Sequence, residues 1–265
     1  MNNLLKADFY KLRKNTTLKI CFTISCICIL LLAFILHGVA AGTIGSEVSG
    51  ASSLLVDAMM SSLLASLVIG NLVCGDFESK TIHDEIACGE GRWSVVLTKT
   101  ITCMIIIGLI ILPYAVTALV CYFGKIDIAP MAGIPSVFIN IMCNSAAVEL
   151  SGSAVVKSIV ICLVAIVAYM ARLSLCIPLA FKVKMPVFVM AFGIISSFGF
   201  DMIIQAVKDV DVVSTIMNNT PFALIYDLTM DAGAGTIVKV LVLSIIFIVL
   251  VTMLTYALFR KSDIK

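Results

Sequence analysis

The sequence predicts an all-α polytopic membrane protein with six transmembrane helices, and three observations predict it. Hydrophobic residues make up 61% of the 265-residue chain and charged residues only 13%, at a mean hydropathy of +1.15. Such a composition excludes an ordinary soluble domain. Apolar runs recur at 20–41, 54–74, 100–123, 155–181, 186–204 and 237–259. Each is about 20–27 residues long, enough to cross a hydrocarbon layer of about 30 Å with some tilt. Finally, the positive charges are one-sided. With the N-terminus inside, Lys6, Lys11, Arg13, Lys14, Lys19, Lys80, Arg92, Lys99, Lys182, Lys184, Arg260, Lys261 and Lys265 face the cytosol, against Lys125, Lys157, Lys208 and Lys239 outside. That bias orients both termini to the cytosol. No internal repeat or low-complexity tract divides the chain, so residues 1–265 read as one transmembrane domain.

The elements follow in order. Residues 2–18 open with NNLLKADFYKLRK, which puts Leu5, Phe9 and Leu12 on one helical face, flanked by Lys6, Lys11, Arg13 and Lys14. This is the pattern of an interfacial helix, apolar side in the lipid and basic side towards anionic headgroups. The first span ends near Val39-Ala40-Ala41, which resembles a signal-peptidase site; cleavage there would leave five spans. The run is longer than a usual signal core and the preceding segment is itself amphipathic, so the span is read as retained. The second span carries Asp57 and Asn71 near its ends, and Lys239 opens the sixth; snorkelling to the interface accounts for all three.

Between the second and third spans lies the most polar stretch, Gly75–Lys99. Thr81–Cys88 forms about two helical turns, with Ile82, Ile86 and Phe77 on one side and charges on the other. Gly89 and Gly91 stop it, and Ser94 is the expected N-cap of the next helix. The third span contains Pro113, expected to kink or break it. Residues 124–154 are mixed, and Val137–Val148 is too short to span, reading as re-entrant or interfacial. Lys182-Val183-Lys184 joins the fourth and fifth spans. Residues 205–235 are polar and helix-patterned with a break at Pro221, and the sixth span ends in Arg260-Lys261.

The ten cysteines lie mostly in apolar runs without CxxC pairing and read as free packing residues. Cys74, His83 and Cys88 fit no standard zinc spacing. There is no GxxxxGK[ST] and no HExxH, and His37 and His83 fall on opposite sides of the membrane. No catalytic triad or carboxylate pair can be assembled from loops this short, so the chain is not expected to be an enzyme. Arg172 sits about 15 Å deep in the fourth span at 1.5 Å per residue. Burying it costs about 2.5–3.5 kcal/mol, which calls for a partner, a wet cavity or satisfaction by neighbouring carbonyls. The outer segments hold Glu47, Asp57, Asp127, Glu149, Asp201, Asp209, Asp211, Asp227 and Asp231 against four lysines. This acidity complements the basic inner side, and it also suits a cationic substrate.

The opening NNLLKADFYKLRKN is similar to the first residues of permease subunits of type-two ABC exporters from Gram-positive bacteria. So is the polar loop, with Asp76-Phe77-Glu78, Thr81-Ile82, Gly89, Arg92 and Lys99. The resemblance implies a coupling loop over 76–92, in which Glu78, Thr81, Ile82, Ile86 and Arg92 contact the ATPase, and a re-entrant hairpin over 205–235. It implies a plasma-membrane permease exporting an amphiphile (an antimicrobial peptide, lipid or drug) or giving immunity to such peptides. The partners implied are an ABC ATP-binding subunit, which would hold ATP and Mg, a second permease chain and membrane lipid, with no nucleic acid. Arg172 is a departure from the family pattern. It joins Asn218, Asn219, Asp209, Asp211 and Asp227 as a substrate-pathway candidate, the asparagines because a non-helical break at depth must face protein or water. A non-transporting membrane anchor or sensor that recruits a cytosolic ATPase or kinase is the alternative.

Overall fold

In a computed structural model, residues 2–45, 48, 52–131, 136–144, 152–206 and 219–260 are described. All regular structure among them is helical: α1 (Asn2–Lys14), α2 (Thr16–Ala40), α3 (Asp57–Glu78), α4 (Thr81–Ala87), α5 (Arg92–Phe123), α6 (Val137–Cys143), α7 (Gly152–Leu173), α8 (Cys176–Val183), α9 (Pro186–Ala206), α10 (Pro221–Leu224) and α11 (Ala234–Arg260), with short 3-10 turns at Ser52–Leu55 and Ile225–Asp227. Six helical stretches are long and apolar enough to cross a membrane, α7 and α8 together making one. This is the architecture of a multi-pass all-α membrane protein.

Burial divides the spans. Two-thirds of the apolar window of α3 is buried inside the protein and half of that of α5, against 17% for α9 and 22% for α11. The central pair is therefore α3 and α5, with the bulky outer faces of α2, α9 and α11 left exposed. α3 can approach α9 closely because one of its buried stripes is small: Ser62, Ser66 and Gly70 recur every fourth residue. Opposite them α9 offers Gly193, where a Cβ would lie 2.4 Å from that of Ser66. At Gly70 it would meet the Pro186 backbone at 3.0 Å. Without a hydrophobic drive between helices in lipid, such close backbone approach supplies the packing.

Several helix ends differ from those the apolar runs mark. α3 continues past 74 to Glu78 and α5 begins at Arg92, so Asp76 and Lys99 belong to span helices rather than to a loop. Gly91, extended at φ −66°, ψ 144°, is the N-cap of α5, and Ser94 lies within the first turn. Pro113 does not break α5, which stays helical to Phe123. Next to the carbonyl that Pro113 leaves unbonded, the buried Ser25 Oγ donates to Ile110 O at 2.7 Å, the kind of side-chain help that lets proline sit in a membrane helix. The fourth span, by contrast, is broken. Pro178 has no N–H for the carbonyl of Ser174 and its ring crowds it, so α7 stops at Leu173 and α8 starts at Cys176.

Two segments read as lying at the interface have buried side chains. In α6, Phe138, Ile141 and Met142 are fully buried and Phe138 stacks on Tyr169 of α7 with ring centroids 6.0 Å apart. In α1, the expected Leu5/Phe9/Leu12 face splits: Leu12 is 5% exposed but Phe9 43%. The face turned inward holds Asp8 and Leu12, one helical turn apart, and Asp8 is buried.

Candidate functional site

The chain between α3 and α5 folds as a tight unit. Lys80, at φ 57°, reverses the backbone after α3, and Ser79 Oγ hydrogen-bonds with Gly75 O at 2.8 Å and with Thr81 Oγ1 at 2.9 Å. α4 then runs for two turns and ends at Gly89, φ 93°, where Glu90 N donates to Glu85 O and Gly89 N to Ile86 O. That pair of bonds is a Schellman cap, and it requires the left-handed conformation glycine adopts without cost. Ile82 is fully buried and Ile86 packs on the core, while Asp84, Ala87 and Cys88 face outward.

Beneath α4 lies a cluster of five charged side chains from four helices. Lys99 Nζ of α5 donates to Asp8 Oδ1 of α1 at 2.7 Å and to Asp76 Oδ2 of α3 at 2.6 Å, with Glu85 Oε1 of α4 at 3.6 Å. Lys11 Nζ bonds the other Asp76 oxygen at 2.8 Å, and Thr102 Oγ1 approaches Asp8 Oδ2 at 3.4 Å. The Lys99 side chain is 1% exposed, so removal from water is compensated only by these carboxylates. Burial pushes the Glu85 carboxyl above its usual range, with Asp8 and Asp76 adding to the rise and Lys99 opposing it. Three carboxylates against two ammoniums leave an excess of one negative charge when all are ionised. A cavity of about 380 Å³ opens beside the cluster, lined by Leu4, Thr81, Asp84, Glu85, Cys88 and Glu90.

Of the residues assigned to ATPase contact, the structure sets Thr81, Ile82 and Ile86 on α4 and Glu78 exposed at the end of α3. Ile82 is turned into the protein and is not part of an outer face. Arg92 reaches elsewhere: its Nη1 donates to Arg260 O at 2.9 Å and Phe259 O at 3.3 Å, closing the C-terminal carbonyls of α11.

A second polar cluster surrounds Arg172. Its Nη2 donates to Asp201 Oδ2 at 2.5 Å and Ser197 O at 2.7 Å, both on α9. Nη1 donates to Tyr226 Oη at 3.0 Å, and that hydroxyl donates to Asp201 Oδ1 at 2.7 Å. The partner the depth of Arg172 called for is thus a carboxylate with a phenol. Asp201, read as part of the outer acidic segments, lies in α9 and pairs with Arg172. Asp57 does not snorkel: it is 1% exposed, begins α3 and accepts from Tyr169 Oη at 2.6 Å. Asn219 and Asp227 are exposed and are not among the groups bonded to Arg172. Asp209, Asp211 and Asn218 fall outside the described residues, as do Glu47 and Glu149.

Sequence reasoning missed Asp8 and Tyr226. Asp8 left one signal, an acid a single helical turn from Leu4 and Leu12 on the face that packs inward; Tyr226 left none. Among the described residues, no group of three or more His, Cys, Asp or Glu could hold a metal ion. The chain matches no protein-family model and no curated protein.

Proposed function

We propose that the chain is the membrane-spanning permease subunit of an ATP-driven ABC exporter, moving an amphiphilic substrate while a separate subunit hydrolyses ATP. The observation that carries the reading is α4, a capped two-turn helix between two span helices, seated on a buried charge cluster that includes both of them and α1. A short rigid helix joined in this way transmits a push on its outer face directly to the spans. In this reading α4 is the coupling helix, α1 lies flat on the inner leaflet with Phe9 and Tyr10 outward, and both termini are cytosolic in a bacterial plasma membrane. The described part of the connection expected to be a re-entrant hairpin, 219–235, supports that reading through Tyr226 meeting Arg172 of the fourth span, while 207–218 lie outside the described residues. A second permease chain, identical or homologous, completes the transporter. Antimicrobial peptides are the preferred amphiphiles, since Asp227 and Asp231 are exposed within this connection and attract cations.

Because Ile82 is buried, the docking face is the opposite one, Asp84, Ala87 and Cys88. Asp84→Lys with Ala87→Arg leaves the cluster and the hydrophobic seat intact. The double variant is expected to insert and to keep its thermal midpoint in lipid nanodiscs, but to lose co-purification with a co-expressed ABC ATP-binding subunit. Retained co-purification overturns the coupling role of α4. ATP-dependent transport in reconstituted vesicles separates the exporter from a non-transporting anchor.

A further inference from the structure

The segment Pro221–Asp227 belongs to none of the six spans, yet it packs over the one guanidinium–carboxylate pair found among the described residues, the buried Arg172 with the partly exposed Asp201. Tyr226 is bonded to both members of that pair, accepting from Arg172 and donating to Asp201. Phe222, one turn earlier, stacks on Phe200 of α9 at 4.1 Å, meets Phe247 of α11 edge-on at 6.0 Å and lies 5.6 Å from the guanidinium. Residues Pro221 to Ile225 are all buried. Among the described residues the backbone bonds of the segment are local, Ala223 N and Leu224 N to Thr220 O and Leu228 N to Ile225 O. Its hold on the bundle therefore runs through side chains, while its own turn is self-sufficient.

We infer that Pro221–Asp227 is a lid over the intramembrane Arg172–Asp201 pair, that the Tyr226 hydroxyl is its latch, and that it lifts as a unit. Lifting breaks two hydrogen bonds of one phenol, separates the Phe222 ring from Phe200 and Phe247, and uncovers the buried side chains of Phe222, Leu224 and Ile225. It leaves the turn intact and leaves Arg172 with Asp201 and Ser197 O, so no charge is stranded in either state. The lid belongs to this chain whether or not the chain exports anything.

The test uses the full chain in lipid nanodiscs. Cys88→Ser removes an exposed thiol, and Ala223→Cys, a buried position of nearly the same size, reports the underside of the lid. A polar maleimide is expected to modify Cys at 223 slowly, and at least tenfold faster once Tyr226→Phe is added. The buried thiols Cys103, Cys162 and Cys176 should stay unmodified throughout. Asp201→Asn, which keeps an acceptor for the hydroxyl, should accelerate labelling less than Tyr226→Phe. Where Tyr226→Phe does not accumulate, Arg172→Lys, which loses the Nη1 donor, carries the same expectation. Equal rates with and without the latch overturn the inference. So does simultaneous labelling of the buried thiols, which would mean loss of the bundle, or a larger effect of Asp201→Asn than of Tyr226→Phe.

Discussion

Two buried cations, Lys99 and Arg172, solve the same problem in different ways. Lys99 is a compact ammonium surrounded by carboxylates from three helices, two of them within 2.7 Å. Arg172 is a planar fork with a single carboxylate, a backbone carbonyl and a phenol, and its Nε has no hydrogen-bond partner among the described residues. The first cluster holds three carboxylates against the two ammoniums of Lys99 and Lys11; the second is balanced one to one. The Asp201 side chain also stays 20% exposed, whereas that of Asp8 is 3% exposed. A hub of this kind cross-links elements, while a balanced pair with a removable third member tolerates rearrangement.

The sharpest way to break the comparison is to remove each cation. Lys99→Met strands Asp8 in a water-poor site, leaves Asp76 with Lys11 alone, and is expected to cost about 3–5 kcal/mol, read as failure to accumulate or a large drop in thermal midpoint. Arg172→Met strands one partly exposed carboxylate that keeps the Tyr226 hydroxyl, and it removes a residue costly to bury. Its loss should be clearly smaller under the same measurement. If Arg172→Met is the more damaging of the two, the contrast drawn between hub and pair is wrong. Arg92→Ala tests a cation outside both clusters. Freeing the last carbonyls of α11 should lower stability by about 0.3–1 kcal/mol, visible as faster hydrogen exchange confined to the end of that helix.

The smallest effect has the opposite sign. The carboxyl of Glu85 is raised in the folded protein, mainly by burial, so the folded state holds its proton more tightly than the unfolded chain does. Stability from this group is present at low pH and is lost as pH rises from the unfolded carboxyl value through the folded one. Glu85→Gln mimics the protonated form. It should slightly raise the thermal midpoint at neutral pH and flatten its decline over that window; an unchanged slope would place the pH dependence elsewhere.

How legible was this in the sequence? The six spans were, because an apolar run the length of a bilayer has few other uses. Their ends were not. Hydropathy falls at Gly75 although hydrogen bonding carries α3 on to Glu78, and Asp76 and Lys99 look solvated until both are seen to face inward. Arg172 announced a need for a partner through its depth, but not which partner, since Tyr226 is separated from it by 54 residues and an entire span. The α4 helix and its glycine stop could be read from spacing alone, because cap and turn are local. What α4 rests on could not, for Asp8 and Lys99 lie 91 residues apart.

That separation has a direction. A chain made from its N-terminus has already produced Asp8 and Asp76 when Lys99 emerges, so the ammonium arrives with both counterions waiting. Arg172 emerges 29 residues before Asp201, and the helix bearing it is interrupted at Ser174. During synthesis the fourth span must therefore hold a cation that nothing yet neutralises. The tight turn at Lys184 brings α9 back immediately, and with it Asp201. The fifth span brings the fourth its counterion.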